Sequence, residues 1–305
     1  IKKTGAASFT SFTGRGLIPS TYPLFMGSSL ARPDPVNVLS QSDLMVVLGS
    51  ELAEVDIWRY NLGHDCTLVR GDTDPEVLSD HHKADIKINM RVEDFVNASM
   101  EHFDGQDNKG KWDPKFVSKK RKEWILQATQ EFPGVSKIIR AVEEIVPQDT
   151  MIYSDMTQFA YLAKEIWDMK KPNHWHHPYG FGTLGYALPA AIGGCVARPE
   201  MPTIAIAGDY GFQYTMQELG TAVELQLSLP ILIWDNQKLK AIEDSMIAAQ
   251  IAPNSVQALN PDFCKLAESY GAKSRKPVNL KELQNDITEA FKADIPTVIH
   301  ITEIA

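Results

Sequence analysis

The sequence has no long apolar run, no excess of positive charge and no paired cysteines. Each absence excludes a class of protein. No segment approaches the ~20 consecutive apolar residues that cross a bilayer, so a membrane-spanning chain is not expected. Lys and Arg number 30 against 39 Asp and Glu, a formal charge of −9. That balance argues against nucleic acid or an anionic membrane as a partner. Any anionic ligand must then be held by local donors. Cys66, Cys195 and Cys264 lie far apart with no Cys-x-x-Cys pair. Free thiols in a reducing compartment fit this better than a disulfide framework. Ile1-Lys2-Lys3-Thr4-Gly5 leads straight into mixed residues without a signal-peptide pattern, so a cytoplasmic protein is expected. No internal repeat or low-complexity segment is evident.

What is present is globular in composition: 305 residues, 44% hydrophobic and 23% charged. The length favours two domains. Short apolar runs at residues 44–48, 66–69, 151–153, 203–207, 231–234 and 297–301 are mostly stopped by Gly, Asp or Asn. They read as buried parallel strands, and the helical patterns between them make the chain α/β. The polar, glycine-containing stretch Asp104-Gly105-Gln106-Asp107-Asn108-Lys109-Gly110-Lys111 reads as a linker. The expected division is a first domain at 1–104, a linker at 105–118 and a second domain at 119–305.

Residues 203–236 carry the chemistry. A strand runs to Ala207, Gly208-Asp209-Tyr210-Gly211 turns the chain, and a helix is expected from Met216, where Leu219, Val223 and Leu227 recur every fourth residue. Ser228-Leu229-Pro230 stops it, and the next strand runs to Trp234. In such a βαβ unit the strands are parallel, with a right-handed crossover. Asp209 and Asn236 therefore leave the same edge of the sheet, where open α/β sheets bind ligands. A carboxylate and an amide oxygen are hard donors suited to Mg²⁺, which takes phosphate oxygens for its remaining positions. Glycines at 208 and 211 allow backbone to approach a phosphate. Taken singly, Gly208-Asp209 and Asp235-Asn236 are also ordinary strand-end turns.

Gly208-Asp209-Tyr210, followed after two dozen residues by Asp235-Asn236, resembles the cofactor motif of thiamine diphosphate enzymes. The interior, residues 211–223, resembles the acetolactate synthase group. The resemblance implies two parallel-sheet, three-layer α/β domains: a partial Rossmann-like central domain and a domain binding the diphosphate half of the cofactor. It implies Mg²⁺ ligation by Asp209, the Asn236 side chain and the Lys238 carbonyl. Tyr210 and Asp235 depart from the motif's usual glycine and asparagine. Asp235 either adds charge near the metal or caps the turn.

Two further stretches match. The segment from Gly180 to Gly193 resembles the one beside the aminopyrimidine ring. The resemblance gives cofactor contacts to Gly182, Thr183 and Leu184, with the Leu184 side chain wedged between the two rings. Tyr153-Ser154-Asp155-Met156-Thr157-Gln158 resembles a stretch near the diphosphate, so Gln158 is a cofactor contact. Phe159 stands where relatives often have a histidine donor. Residues 13–27, Ser42-Asp43-Leu44 and Arg70-Gly71-Asp72-Thr73-Asp74-Pro75 resemble the central domain. Some relatives hold FAD there, but no residue here establishes a flavin site.

The family's proteins are longer, so the chain is expected to be a fragment or one part of a split protein, without the pyrimidine-binding domain. The family's activating glutamate lies in that domain. The chain alone is expected to be inactive, and a homodimer or homotetramer is expected for the whole. Glu243 and Asp244 are candidates for a cationic substrate end, such as a guanidinium, or for a solvated helix start. The segment Ala241-Ile242-Glu243-Asp244-Ser245-Met246 resembles decarboxylases of 5-guanidino-2-oxopentanoate (2-ketoarginine), and Ser245 stands where acetolactate synthases carry tryptophan. His174-Trp175-His176-His177 lacks the spacing of a metal site. It reads as a loop flanking the cofactor segment, where a histidine can shuttle protons, or as plain surface. His81-His82-Lys83 reads as a solvated loop. The leading function is non-oxidative decarboxylation of a 2-oxo acid. The alternatives are acetolactate synthase-type carboligation and a non-catalytic protein on a cofactor fold.

Overall fold

Every ladder joining named strands among the described residues is parallel. The computed structural model describes residues 1–106 and 110–302. The chain divides into two units, residues 1–126 and 127–305. Both are α/β, as the alternating apolar runs require.

In the first unit, β1 (Ser8–Phe9) pairs with β2 (Phe25–Gly27). A separate sheet has the order β3 (Leu44–Leu48), β4 (Thr67–Asp72), β5 (Ile86–Asn89). The central strand buries Leu68 and Val69 and also Arg70. The Arg70 guanidinium meets Asp80 Oδ2 at 2.5 Å and donates to the Ser50 carbonyl at 2.8 Å. The expected boundary moves. Residues 114–118 of the expected linker open the helix Pro114–Glu131, and the division falls after Leu126, inside that helix. The cause is tertiary: Trp124 is fully buried, its Nε1 donates to Asp34 Oδ2 at 2.9 Å, and Lys120 Nζ meets the same oxygen at 2.9 Å. Asp107, Asn108 and Lys109 of that linker lie outside the described residues.

The second unit contains β6 (Met151–Ser154), β7 (Trp175–His176), β8 (Thr203–Gly208), β9 (Pro230–Trp234), β10 (Lys273–Arg275) and β11 (Thr297–Ile301). Their order is β10-β11-β9-β8-β6-β7. β8, β9 and β11 are buried along their whole length, which their near-continuous apolar runs foretell. Pro230 opens β9, a place where a missing N–H is tolerated. The chain steps from β6 outward to β7, then returns to β8 on the other side of β6. That reversal between β6 and β8 is a topological switch point, and its carboxyl edge is where such sheets hold ligands. The helix Ala187–Ala197 packs on β6 and β8 and shares a core with Ile231, Ile233 and Phe263.

The local path after β8 differs from expectation. No free turn precedes the helix: Gly208 is extended and Asp209 opens the helix Asp209–Thr215 directly. The chain breaks at Met216 and Gln217, and a second helix, Glu218–Glu224, follows. A carboxylate in a first helical turn is favoured by the exposed amides there.

Candidate cofactor and metal site

β8 and β9 deliver Asp209 and Asn236 to one edge. The register pairs Gly208 with Trp234, so the residues that follow leave neighbouring strands, which run ~4.8 Å apart. Asp209 is buried, and that burial pushes its carboxyl above the usual range. Hydrogen bonds from Asn260 and from the Tyr210 backbone N–H work against the rise.

Gln158, just past β6, reaches the same edge. Its Oε1 accepts from Trp234 Nε1 at 3.2 Å and from Asn236 Nδ2 at 3.4 Å. Asn236 Oδ1 accepts the Lys238 backbone N–H at 3.2 Å. This network assigns the amide: Nδ2 faces Gln158 and Oδ1 faces away from it. Lys238 Nζ lies 3.0 Å from Glu243 Oε2.

Asp235 is a turn cap. Its Oδ1 accepts the Gln237 N–H at 3.0 Å, and its Oδ2 lies 2.7 Å from His300 Nε2. Burial pushes this carboxyl up, but the hydrogen bonds from His300, Asn260 and Gln237 outweigh it, and its pKa ends below the ordinary value. Asn260 links the two acids. Its Nδ2 donates to Asp209 Oδ2 at 2.7 Å and to Asp235 Oδ1 at 2.8 Å.

The glycine-rich segment is held to the same edge by Asp155. This fully buried residue accepts from the Gly185 N–H at 3.0 Å and the Tyr186 N–H at 3.1 Å. Its carboxyl is raised by burial. Gly182 has φ +62° and its N–H donates to the Pro178 carbonyl at 2.8 Å. Gly182 and Thr183 are exposed and Leu184 is half-buried. Gly211 is required by the protein whatever binds there: a Cβ would sit 2.1 Å from Asp155 Oδ2. Gly208 lies against Thr157 and Tyr210 is half-buried. Phe159 is core, so the position of the relatives' histidine offers no donor here.

The structure thus gathers Gln158, Gly208, Asp209, Gly211, Asn236 and Lys238 at the carboxyl ends of β6, β8 and β9, with Gly182, Thr183 and Leu184 tied in through Asp155. Glu243 and Asp244 lie on the helix Lys240–Ala248, paired with Lys238 and Lys240. His174-Trp175-His176-His177 is not a plain loop. Trp175 and His176 form β7, and both Trp175 Nε1 and His177 Nδ1 meet Ser154 Oγ, at 2.7 and 2.9 Å. His82 is buried, unlike a solvated loop residue, with its ring against His81. Sequence reasoning missed the roles of Asp155, Asn260 and His300. Asn260-Pro261-Asp262 carries only a turn and helix-start signal, and His300 reads as one more strand residue.

Two family models match the chain: "Thiamine pyrophosphate enzyme, central domain" over residues 1–99 and "Thiamine pyrophosphate enzyme, C-terminal TPP binding domain" over residues 155–301. A Pseudomonas aeruginosa protein named "Probable 2-ketoarginine decarboxylase AruI" is 33% identical over 302 residues, covering 98% of this chain and 54% of that protein. A Methanococcus aeolicus protein named "Probable acetolactate synthase large subunit" is 25% identical over 316 residues, covering 95% of this chain and 52% of that protein. The chain spans about half the length of the curated relatives it matches. Benzoylformate decarboxylase from Polynucleobacter necessarius shares the fold, with a TM-score of 0.78 at 20% identity, over 99% of this chain and 57% of that one.

Proposed function

The chain belongs to the thiamine pyrophosphate enzymes, and we propose that it forms the Mg²⁺- and diphosphate-binding half of a 2-oxo acid decarboxylase active site. The observation that carries this reading is the paired exit of Asp209 and Asn236 from β8 and β9, with the Asn236 amide turned so that Oδ1 faces away from Gln158. The donor set fits the ion: one buried carboxylate, one amide oxygen and the Lys238 carbonyl are hard oxygen ligands. Such an ion also offsets the burial of the Asp209 charge.

When bound, thiamine diphosphate supplies an electron sink for the pair left behind as carbon dioxide departs. This chain's residues hold and orient. Asp209, Asn236 and Lys238 would hold the metal against the diphosphate. Gln158, its Oε1 already engaged by two donors, keeps Nε2–H groups for a phosphate oxygen. Gly182, Thr183 and Leu184 would line the aminopyrimidine side. By the family resemblance, the activating glutamate would be supplied by a pyrimidine-binding domain, from the same protein or a neighbouring subunit. A homodimer or homotetramer in the cytoplasm suits that arrangement.

The substrate we favour is 5-guanidino-2-oxopentanoate, supported by the 33% identity to the Pseudomonas aeruginosa protein and by the paired acids Glu243 and Asp244. A guanidinium would take over the carboxylates now held by Lys238 and Lys240. Full-length protein assayed on a panel of 2-oxo acids tests this. Alanine at Glu243 or Asp244 is expected to raise KM for the guanidino acid far more than for pyruvate, and equal effects sink the substrate assignment. Carboligation is the second reading, favoured by the likeness of residues 211–223 to acetolactate synthases. Its mark is acetolactate formed from pyruvate, against an aldehyde for decarboxylation. Assayed alone, the chain is expected to show no decarboxylation.

A further inference from the structure

We infer that Asn260 is a positioning residue for the Asp209 carboxylate, one that settles which of its oxygens is presented to the metal. The inference rests on the Mg²⁺ reading above. Asn260 Nδ2 spends one N–H on Asp209 Oδ2 at 2.7 Å and the other on Asp235 Oδ1 at 2.8 Å. An amide between two buried carboxylates has a single workable orientation: reversed, its carbonyl oxygen would face two negative oxygens. Gln213 closes the far side. Its Nε2 donates to Asn260 Oδ1 at 3.1 Å and to the Asp209 carbonyl at 3.1 Å.

Asp235 is itself anchored by His300 Nε2 at 2.7 Å and the Gln237 N–H at 3.0 Å. Asp209 Oδ2 is therefore tied, through one amide, to the end of β9 and to a histidine on β11. The aspartate at 235, where the family's motif has asparagine, becomes intelligible. It is the acceptor for Asn260's second N–H, and His300 stands against its charge.

The consequence is metal selectivity. With Oδ2 drawn into the bridge, Asp209 would offer an ion chiefly its other oxygen, as a single donor. Mg²⁺ demands ligands at ~2.0–2.1 Å in near-octahedral geometry, whereas Ca²⁺ accepts ~2.3–2.6 Å and often takes both carboxylate oxygens. A carboxylate held by one oxygen favours the smaller ion. One released from Asn260 is free to turn and chelate the larger one.

The test is calorimetric titration of Mg²⁺, and separately of Ca²⁺, with thiamine diphosphate at saturation, into wild type and Asn260→Ala. Thermal melting of the metal-free proteins runs alongside. The expected result is a Kd for Mg²⁺ weakened by ~tenfold or more, with the Kd for Ca²⁺ changed by less than about threefold. A merely structural role for Asn260 moves the melting temperature and weakens both ions by the same factor. That outcome, or no change for either ion, overturns the inference. Should Asn260→Ala fail to fold, Asn260→Gln keeps the amide but displaces it by one methylene, and the same selectivity change is expected. A wild type that binds no Mg²⁺ removes the underlying metal reading instead, and the inference with it.

Discussion

At the residue scale, the site is organised by buried acids with few partners. Asp155 is held by the N–H groups of Gly185 and Tyr186, so it cannot retreat when crowded. An alanine at 211 would place its Cβ 2.1 Å from Asp155 Oδ2. Gly211→Ala is therefore expected to cost about 2–4 kcal/mol, the range of overpacking joined to a broken buried network. Denaturant unfolding measures it, and a cost near zero would mean that Asp155 yields. Asp209 poses the opposite case. Its charge is buried against the Asn260 amide and the backbone N–H groups of Asp209 and Tyr210, so the metal-free protein bears a desolvation cost. Asp209→Asn is expected to melt no lower than wild type without metal, yet to lose Mg²⁺-dependent cofactor binding. A large drop in the metal-free melting temperature would argue for a structural role.

At the element scale, two segments behave differently from the sheet that holds the site. The helix Lys240–Ala248 has no buried residue and is held by Lys238–Glu243 and Lys240–Asp244 ion pairs. The Lys240–Asp244 pair is exposed, and such pairs contribute ~0–1 kcal/mol. Its amides are expected to exchange with solvent far sooner than those of β8 and β9. Hydrogen exchange read by mass spectrometry checks this, and equal protection contradicts it. In the first unit, β4 buries Arg70 against Asp80. Burial alone raises the Asp80 carboxyl, but hydrogen bonds from Arg70 and the His82 N–H prevail, and its pKa falls below the ordinary value. A depressed folded pKa stabilises above the unfolded pKa, and that stability is lost as pH falls through the folded one. Asp80→Asn is expected to cost about 1–3 kcal/mol at neutral pH. It should also flatten the loss of stability in acid, as followed by urea unfolding across pH.

At the scale of the whole molecule, the formal charge of −9 sets the terms for an anionic cofactor. Lys238 is the one basic residue among the proposed site residues, and Glu243 occupies it. No long-range field draws a diphosphate in. In the proposed site, binding would then run mainly through the divalent ion. Stripping Mg²⁺ with a chelator is expected to weaken thiamine diphosphate binding by on the order of tenfold or more, as read by equilibrium dialysis. Binding that survives chelation would point to direct donors, Gln158 Nε2 among them, carrying more of the affinity than the ion does.

The sequence by itself determined the class of the sheets and the edge on which Asp209 and Asn236 stand. Buried parallel strands need near-continuous apolar runs, and a βαβ crossover sends consecutive carboxyl ends the same way, so Asp209 and Asn236 were legible from local pattern alone. The short polar strands β5 and β10 were not legible, because Ile86-Lys87-Ile88-Asn89 and Lys273-Ser274-Arg275 draw their pairing from a neighbour. Only the tertiary structure decided what surrounds Asp209 and Asn236. Asn260 meets Asp209 across 51 residues, His300 meets Asp235 across 65, and Asp155 meets Gly185 across 30. Such partners are chosen by the order of strands in the sheet. No spacing along the chain records that order.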